Sequence, residues 1–436
     1  MEKKQSYNIF WFRRDLRLKD NVGLYHALNS NTPVILIFIF DKTILKKLSE
    51  KDDPRVNFIY QTLQDMKSYL HEKNRDLHLF YGNPDEIFIQ LTKSYFIKKV
   101  YSNEDYEPYA IKRDQKIQSI LLKKEIEFEQ FKDQCIFAKN DILKKDGNPY
   151  TVYTPYKRKW LENITEEHLV NFPSEKHLSK VASLSDKNFL KLSDMGFKGD
   201  INHEQPKNIK KKIIINYNQA RDYPAKEGTS LMSTNLRFGL VSPRKCVQIG
   251  QNLNDTWLSE LIWREFFMQI LFHFPYSINK CFKEKYEKIE WVNDKKEFKK
   301  WCEGKTGYAL VDAGMRELNQ TGFMHNRVRM VVASFLIKHL LIDWRWGEKY
   351  FSQKLMDFEL ASNVGNWQWV AGTGCDAAPY FRIFNPETQL KKFDPDLTYV
   401  KKWVPEYGTD EYPAKMIDHS FAYHRALEAY KKVNLK

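Results

Sequence analysis

Residues 321–380 combine the side chains needed to bind a buried redox cofactor. Arg327 and Arg329 supply cations, Asp357 and Glu359 carboxylates, and Asn326 and Asn363 amides, all interleaved with Trp344, Trp346, Trp367 and Trp369. Charged and amide groups are costly to bury without partners, so this mixture describes a polar site enclosed by aromatic walls. In WLSELIWREFF at 257–267, Glu260, Trp263, Arg264 and Phe267 recur at three- and four-residue spacings and share one side of a helix. From pattern alone, a packed amphipathic helix with a surface ion pair is the better description of that face. Gly228, Thr229, Ser230 and Ser233 precede a helical segment. Small hydroxyl residues and backbone N–H groups at such a turn can hold phosphate oxygens, although Thr-Ser also caps ordinary helices.

Several other chemistries are excluded. EGKTG at 303–307 contains a Gly-Lys-Thr, but a triphosphate-binding loop needs a glycine where Lys299 stands. The segment after the first predicted strand, RRDLRLKDN, has no glycine, so it lacks the turn that holds a dinucleotide pyrophosphate. The five cysteines, Cys135, Cys246, Cys281, Cys302 and Cys375, are scattered without metal-ligand spacing. They argue against zinc, iron–sulfur clusters or a disulfide frame and for a reducing cytoplasmic location. A formal charge of +14 favours a polyanionic partner, although many lysines fall on predicted solvent faces. No apolar run reaches membrane-spanning length, and the N-terminus does not read as a signal peptide.

These groups need elements to position them. At 436 residues the chain is long enough for two domains. Over 1–132, apolar runs at 9–12, 34–40, 77–82, 98–103 and 126–132 predict strands, and the intervening segments have helical spacing. Repeated βαβ of this kind predicts a Rossmann-like parallel sheet with helices on both faces, an α/β domain. Residues 133–206 lose periodicity and gain Lys, Ser, Asp and Pro, which predicts an interdomain connection. From 207 to 436 helices dominate, at 209–221, 243–252, 254–274, 306–319, 325–343 and 346–356. Nine of the eleven tryptophans follow residue 250, so the aromatic chemistry belongs to this all-α domain.

MHNRVRM, LIDWRWGEKYF, NWQW and DAAPYFRIFNP, in that order, resemble the DNA photolyase and cryptochrome family. The similarity is to its class I branch, which repairs cyclobutane pyrimidine dimers, and it runs from Asn8 to about residue 407. The resemblance implies an N-terminal antenna domain and a helical FAD-binding domain that takes DNA carrying a flipped-out dimer. Matched position by position, Tyr217, Thr229, Ser230, Leu231, Met232 and Ser233 would grip the FAD diphosphate. Trp257, Glu260, Arg264, Asn326, Arg329, Asp357, Phe358, Glu359 and Asn363 would line the rest of the cofactor, with Asn363 facing flavin N5 and Arg329 paired to Asp357. DNA or dimer would meet Arg221, Glu260, Trp263, Arg264, Phe267, Asn326, Arg327, Met330, Trp369, Arg382 and Gln389. Trp291, Trp344 and Trp367 match the family's electron-transfer chain.

By the same resemblance the activity would be light-driven repair by electron transfer from reduced FAD, without a metal. A monomer acting on dimer-containing DNA, away from membranes, is the implied form. The sequence departs from the family at three places. Tyr109 and Ala110 replace the Asn-Glu pair that anchors a folate antenna, which leaves a deazaflavin, another flavin, a folate or no antenna as the alternatives. Glu359 replaces a commoner aspartate, and Phe323 a frequent tryptophan. A cryptochrome photoreceptor is disfavoured by Glu260, Trp263, Met330 and Trp369, and a (6-4) photolyase by His325-Asn326 in place of paired histidines.

Overall fold

The computed structural model describes residues 5–48, 50–186, 190–199 and 208–434. The chain divides into two compact units that are discontinuous in sequence. The first takes 1–141, 163–206 and 232–249; the second takes 142–162, 207–231 and 250–436. The junction predicted at 206–207 lies outside the described residues.

The first unit is built on five parallel strands in the order β3-β2-β1-β4-β5: β1 Ser6–Phe12, β2 Val34–Asp41, β3 Leu77–Gly82, β4 Phe96–Asn103 and β5 Glu127–Phe131. Each corresponds to a predicted strand. Side chains alternate across a strand, so Phe10 and Phe12 join one apolar cluster while Ile9 and Trp11 join another. A strand buried on both faces is what an unbroken run such as VILIFIF encodes. The helices Pro54–His71, Pro84–Ser94 and Pro108–Leu122 each begin with proline, whose fixed φ and missing N–H suit the first helical position. Tyr109 donates its hydroxyl to Asp41 Oδ2 at 2.6 Å, and Ala110 is buried.

The second unit is helical, around a core that includes Trp301, Val311, Leu336, Trp344 and Trp367. Two sequence readings change here. The helix predicted over 325–343 runs as Asn326–Ser334 and then widens into a π-helical turn, Phe335–His339. That turn places both Lys338 and His339 fully inside, and Lys338 Nζ donates to the carbonyls of Ala371 (3.0 Å) and Tyr380 (3.3 Å). Second, the stretch predicted as a surface connection with short helices around KRKWLENI contains the helix Tyr153–Asn163, whose residues 153–162 belong to the second unit. Its buried stripe, Tyr153, Tyr156 and Trp160, is hidden in composition by the lysines and arginine between them. Trp160 Nε1 donates to Glu265 Oε2 at 2.6 Å.

Candidate active site

The helix Asp255–His273 organises the site. Asn254 caps it, its side-chain oxygen accepting the N–H groups of Thr256 and Trp257 at 3.0 Å each. The cap fixes where Trp257, Glu260, Trp263 and Arg264 emerge. Trp257 is buried, and its Nε1 donates to Ser230 Oγ at 3.3 Å, tying the helix to the predicted phosphate-binding segment. Trp263 stacks on Tyr153 with ring centroids 3.5 Å apart and planes 8° from parallel. Phe267, predicted to meet the lesion, is instead buried, stacked on Trp263 at 5.5 Å and packed against Gly365. A Cβ at Gly365 would sit 2.2 Å from the Phe267 ring, so only glycine allows this approach of the Leu360–Ala371 helix. Phe267 therefore backs Trp263.

Arg329 is held by three hydrogen bonds. Nη1 and Nη2 donate to Asp357 at 3.2 and 2.9 Å, Nε donates to the Met324 carbonyl at 2.7 Å, and the guanidinium lies 5.7 Å from the Phe323 ring centroid. Asn363, also buried, donates its amide to the backbone carbonyl and Oε1 of Glu348 at 3.1 and 2.9 Å. Those bonds use the nitrogen end and orient the amide. Burial pushes the Glu348 carboxyl above its ordinary range, opposed by the Asn363 bond. Glu348 carried no sequence signal of a role, since it reads as one more charge in WRWGEKYF. Glu359 pairs with Arg264 Nε at 3.5 Å and accepts the Ser362 hydroxyl at 3.2 Å. Phe358 is half-buried beside them in the chain.

Two other arginines pair with more exposed carboxylates, Glu260 at 38% and Asp222 at 37% against 5% for Asp357. Arg221 pairs with Glu260, its guanidinium 5.7 Å from the Tyr217 ring centroid. Burial pushes the Glu260 carboxyl up against the pull of Arg221, and burial, then the Glu260 charge, push the Tyr217 phenol up. Arg327 donates to Asp222 at 2.8 Å and lies 4.5 Å from the centroid of Phe393. Asn326 and Arg382 are exposed, with Arg382 5.9 Å from the Trp369 ring centroid; Met330, Trp369 and Gln389 are half-buried. His325 caps the Asn326–Ser334 helix by accepting the Arg327 N–H at Nδ1 (3.2 Å). Burial, reinforced by Arg329 and Arg327, pushes its pKa down to about 4, so the ring is neutral.

Trp344 and Trp367 are buried in the core, and Trp291 is half-buried against it. Trp367 crosses Phe351 at 5.0 Å and Trp301 at 6.3 Å, over Gly347, where a Cβ would lie 2.1 Å from the indole. Trp291 meets Tyr430 at 6.3 Å. Trp301 was not singled out by its sequence, because one tryptophan in an amphipathic helix reads as core. Of the phosphate-binding segment, Thr229 and Ser230 are half-buried and Leu231 exposed in the second unit, while Met232 (buried) and Ser233 (exposed) fall in the first. Gly228 is forced by contact: a Cβ there would lie 2.5 Å from the Ala220 carbonyl oxygen.

Residues 8–175 match the family described as DNA photolyase, and residues 257–409 that described as FAD binding domain of DNA photolyase. A deoxyribodipyrimidine photo-lyase of Vibrio cholerae is 37% identical over 97% of this chain and 99% of its own length. This chain belongs to the DNA photolyase family. A class III photolyase of Agrobacterium tumefaciens superposes with a TM-score of 0.88 at 35% identity, covering 100% of this chain and 99% of that one. An archaeal photolyase of Sulfolobus tokodaii, solved with two FAD molecules, gives 0.80 at 30% identity over 98% and 100%.

Proposed function

We propose that this chain repairs cyclobutane pyrimidine dimers in DNA under light, using reduced FAD held in the helical unit. The observation that carries it is the Arg329–Asp357 pair together with the oriented amide of Asn363, whose helix also carries Trp369, in the helical unit where the Asp255–His273 helix carries Glu260 and Trp263. The residues fit the cofactor. Asn363 spends its amide nitrogen on Glu348 and keeps its carbonyl oxygen for the flavin N5 side. Arg329 adds a fixed cation near an anionic ring, and Trp257–Ser230 orders the diphosphate segment.

Bound reduced FAD supplies the photoexcited electron that opens the two carbon–carbon bonds of the dimer and recovers it afterwards. The chain's own groups do the positioning. Trp263, held by its stacking on Tyr153 and its contact with Phe267, and Trp369 offer apolar surface for bases already weakened in their stacking. Glu260, its carboxyl raised by burial, is placed to hydrogen-bond the lesion, and Arg221, Arg327 and Arg382 meet the backbone phosphates. Trp367, Trp344 and Trp291 would relay electrons from a reductant at the protein surface to an oxidised flavin. Among the described residues no helix is long and apolar enough to cross a membrane. The five cysteines are free thiols, which supports a cytoplasmic site of action, with the chain working as a monomer.

Illumination of the reduced protein with a dimer-containing oligonucleotide tests this. Thymine absorbance should recover in the light and not in the dark. A flavin that photoreduces normally while the dimers persist would instead indicate a photosensor.

A further inference from the structure

Two rim arginines proposed to meet phosphate are each held by a carboxylate: Arg221 by Glu260 and Arg327 by Asp222. Glu260 has a second task at the lesion, but nothing in the proposed chemistry uses Asp222. Its side chain follows directly on Arg221 and keeps 37% of its surface exposed, against 17% for Arg327. Elsewhere the Arg327 guanidinium lies 4.5 Å from the Phe393 ring centroid, Nη1 is 4.0 Å from the Met330 sulfur, and Nε is buried without a hydrogen-bond partner among the described residues. Nη2, which donates to Asp222 at 2.8 Å, is the polar edge that a phosphate oxygen would take.

We infer that Asp222 is an internal competitor for backbone phosphate, occupying Arg327 in the free protein and lowering affinity for any DNA that does not displace it. This rests on Arg327 being a phosphate contact. The exchange is one ion pair for another: Arg327 leaves a carboxylate and gains a phosphate. The freed Asp222 carboxylate then gathers a cation, which offsets the counterion released from the DNA. A lesion that inserts its bases into the aromatic pocket adds contacts that drive the exchange, whereas intact duplex has only its charge to do so. Asp222 thereby limits time spent on undamaged DNA.

The test is a binding series with intact duplex across salt concentrations, using flavin-loaded wild type, Asp222→Asn, Arg327→Gln and the double variant. Asp222→Asn should bind intact duplex about two- to fivefold more tightly, the scale of one exposed ion pair. Its plot of log K against log salt should steepen by about 0.9, one further phosphate neutralised without a compensating cation. Both changes should vanish in the Arg327→Gln background. Unchanged affinity and slope in Asp222→Asn, or a gain that persists without Arg327, would overturn the competitor role. In the Asp222→Asn background, where no cation is gathered to offset the release, Arg327→Gln should lower the slope by about 0.9, and an unchanged slope there would remove the phosphate contact. Failure of the repair assignment registers separately, as equal binding of wild type to dimer-containing and intact DNA. Retained flavin absorbance in each variant verifies that the helical unit has folded.

Discussion

The flavin-side pair Arg329–Asp357 and the rim pairs Arg221–Glu260 and Arg327–Asp222 use the same chemical groups in opposite ways. Asp357 keeps 5% of its side-chain surface, and Arg329 spends three of its N–H groups on Asp357 and the Met324 carbonyl. The rim carboxylates keep 38% and 37%, and Arg327 gives Asp222 a single bond. A buried pair cannot be separated without stranding a charge; a half-exposed one costs little to exchange. On the proposed reading the inner pair is a permanent part of the cofactor wall, and the rim pairs are placeholders for an anion that arrives later.

Arg329→Met attacks the inner pair and should have the largest effect. It leaves the Asp357 carboxylate buried without its cation, a loss of about 3–5 kcal/mol, seen as a lower urea midpoint and flavin lost on dialysis. Next is acid, acting through His325, which caps the helix that carries both Arg327 and Arg329. Its pKa is depressed to about 4 in the fold, against about 6.5 in an unfolded chain. The unfolded chain thus binds the proton first, so this contribution is complete above about pH 6.5 and is lost as pH falls toward 4. The loss reaches about 3 kcal/mol. His325→Asn, which keeps a capping oxygen, should flatten that part of the pH dependence; an unchanged profile would remove His325 as its source.

Rim changes should leave stability and flavin content alone. Trp369→Ala should cost about 2 kcal/mol of preference for dimer-containing over intact DNA, the worth of one base stack, measured by competition binding. Arg382→Ala is expected to be smallest. Its exposed guanidinium should give under about 1 kcal/mol and lower the salt slope by about 0.9 for one duplex phosphate. If either rim variant released flavin, or Arg329→Met altered only DNA binding, the division between fixed and exchangeable pairs would be wrong.

The strands were legible because a two-faced parallel strand is written as a continuous apolar run, as in β1 and β2. The residues proposed to face the ligand, Asn326, Arg329 and Asn363, stand within distinctive words of the sequence. Their partners do not. Glu348 lies 15 residues before Asn363, and Asp222 lies 105 residues before Arg327; neither carries a local pattern. Tyr153, which clamps Trp263, sat in a stretch whose lysines mask three buried aromatic side chains. The assignment of 232–249 to the first unit was equally hidden, because helical period does not say which core a helix joins.

Emission from the bound reduced flavin reports most directly on whether its excited electron reaches the lesion. Titration with a dimer-containing oligonucleotide should quench that emission, and an intact oligonucleotide of the same sequence should leave it unchanged. Equal emission at saturating amounts of both would contradict a flavin within electron-transfer reach of a bound dimer.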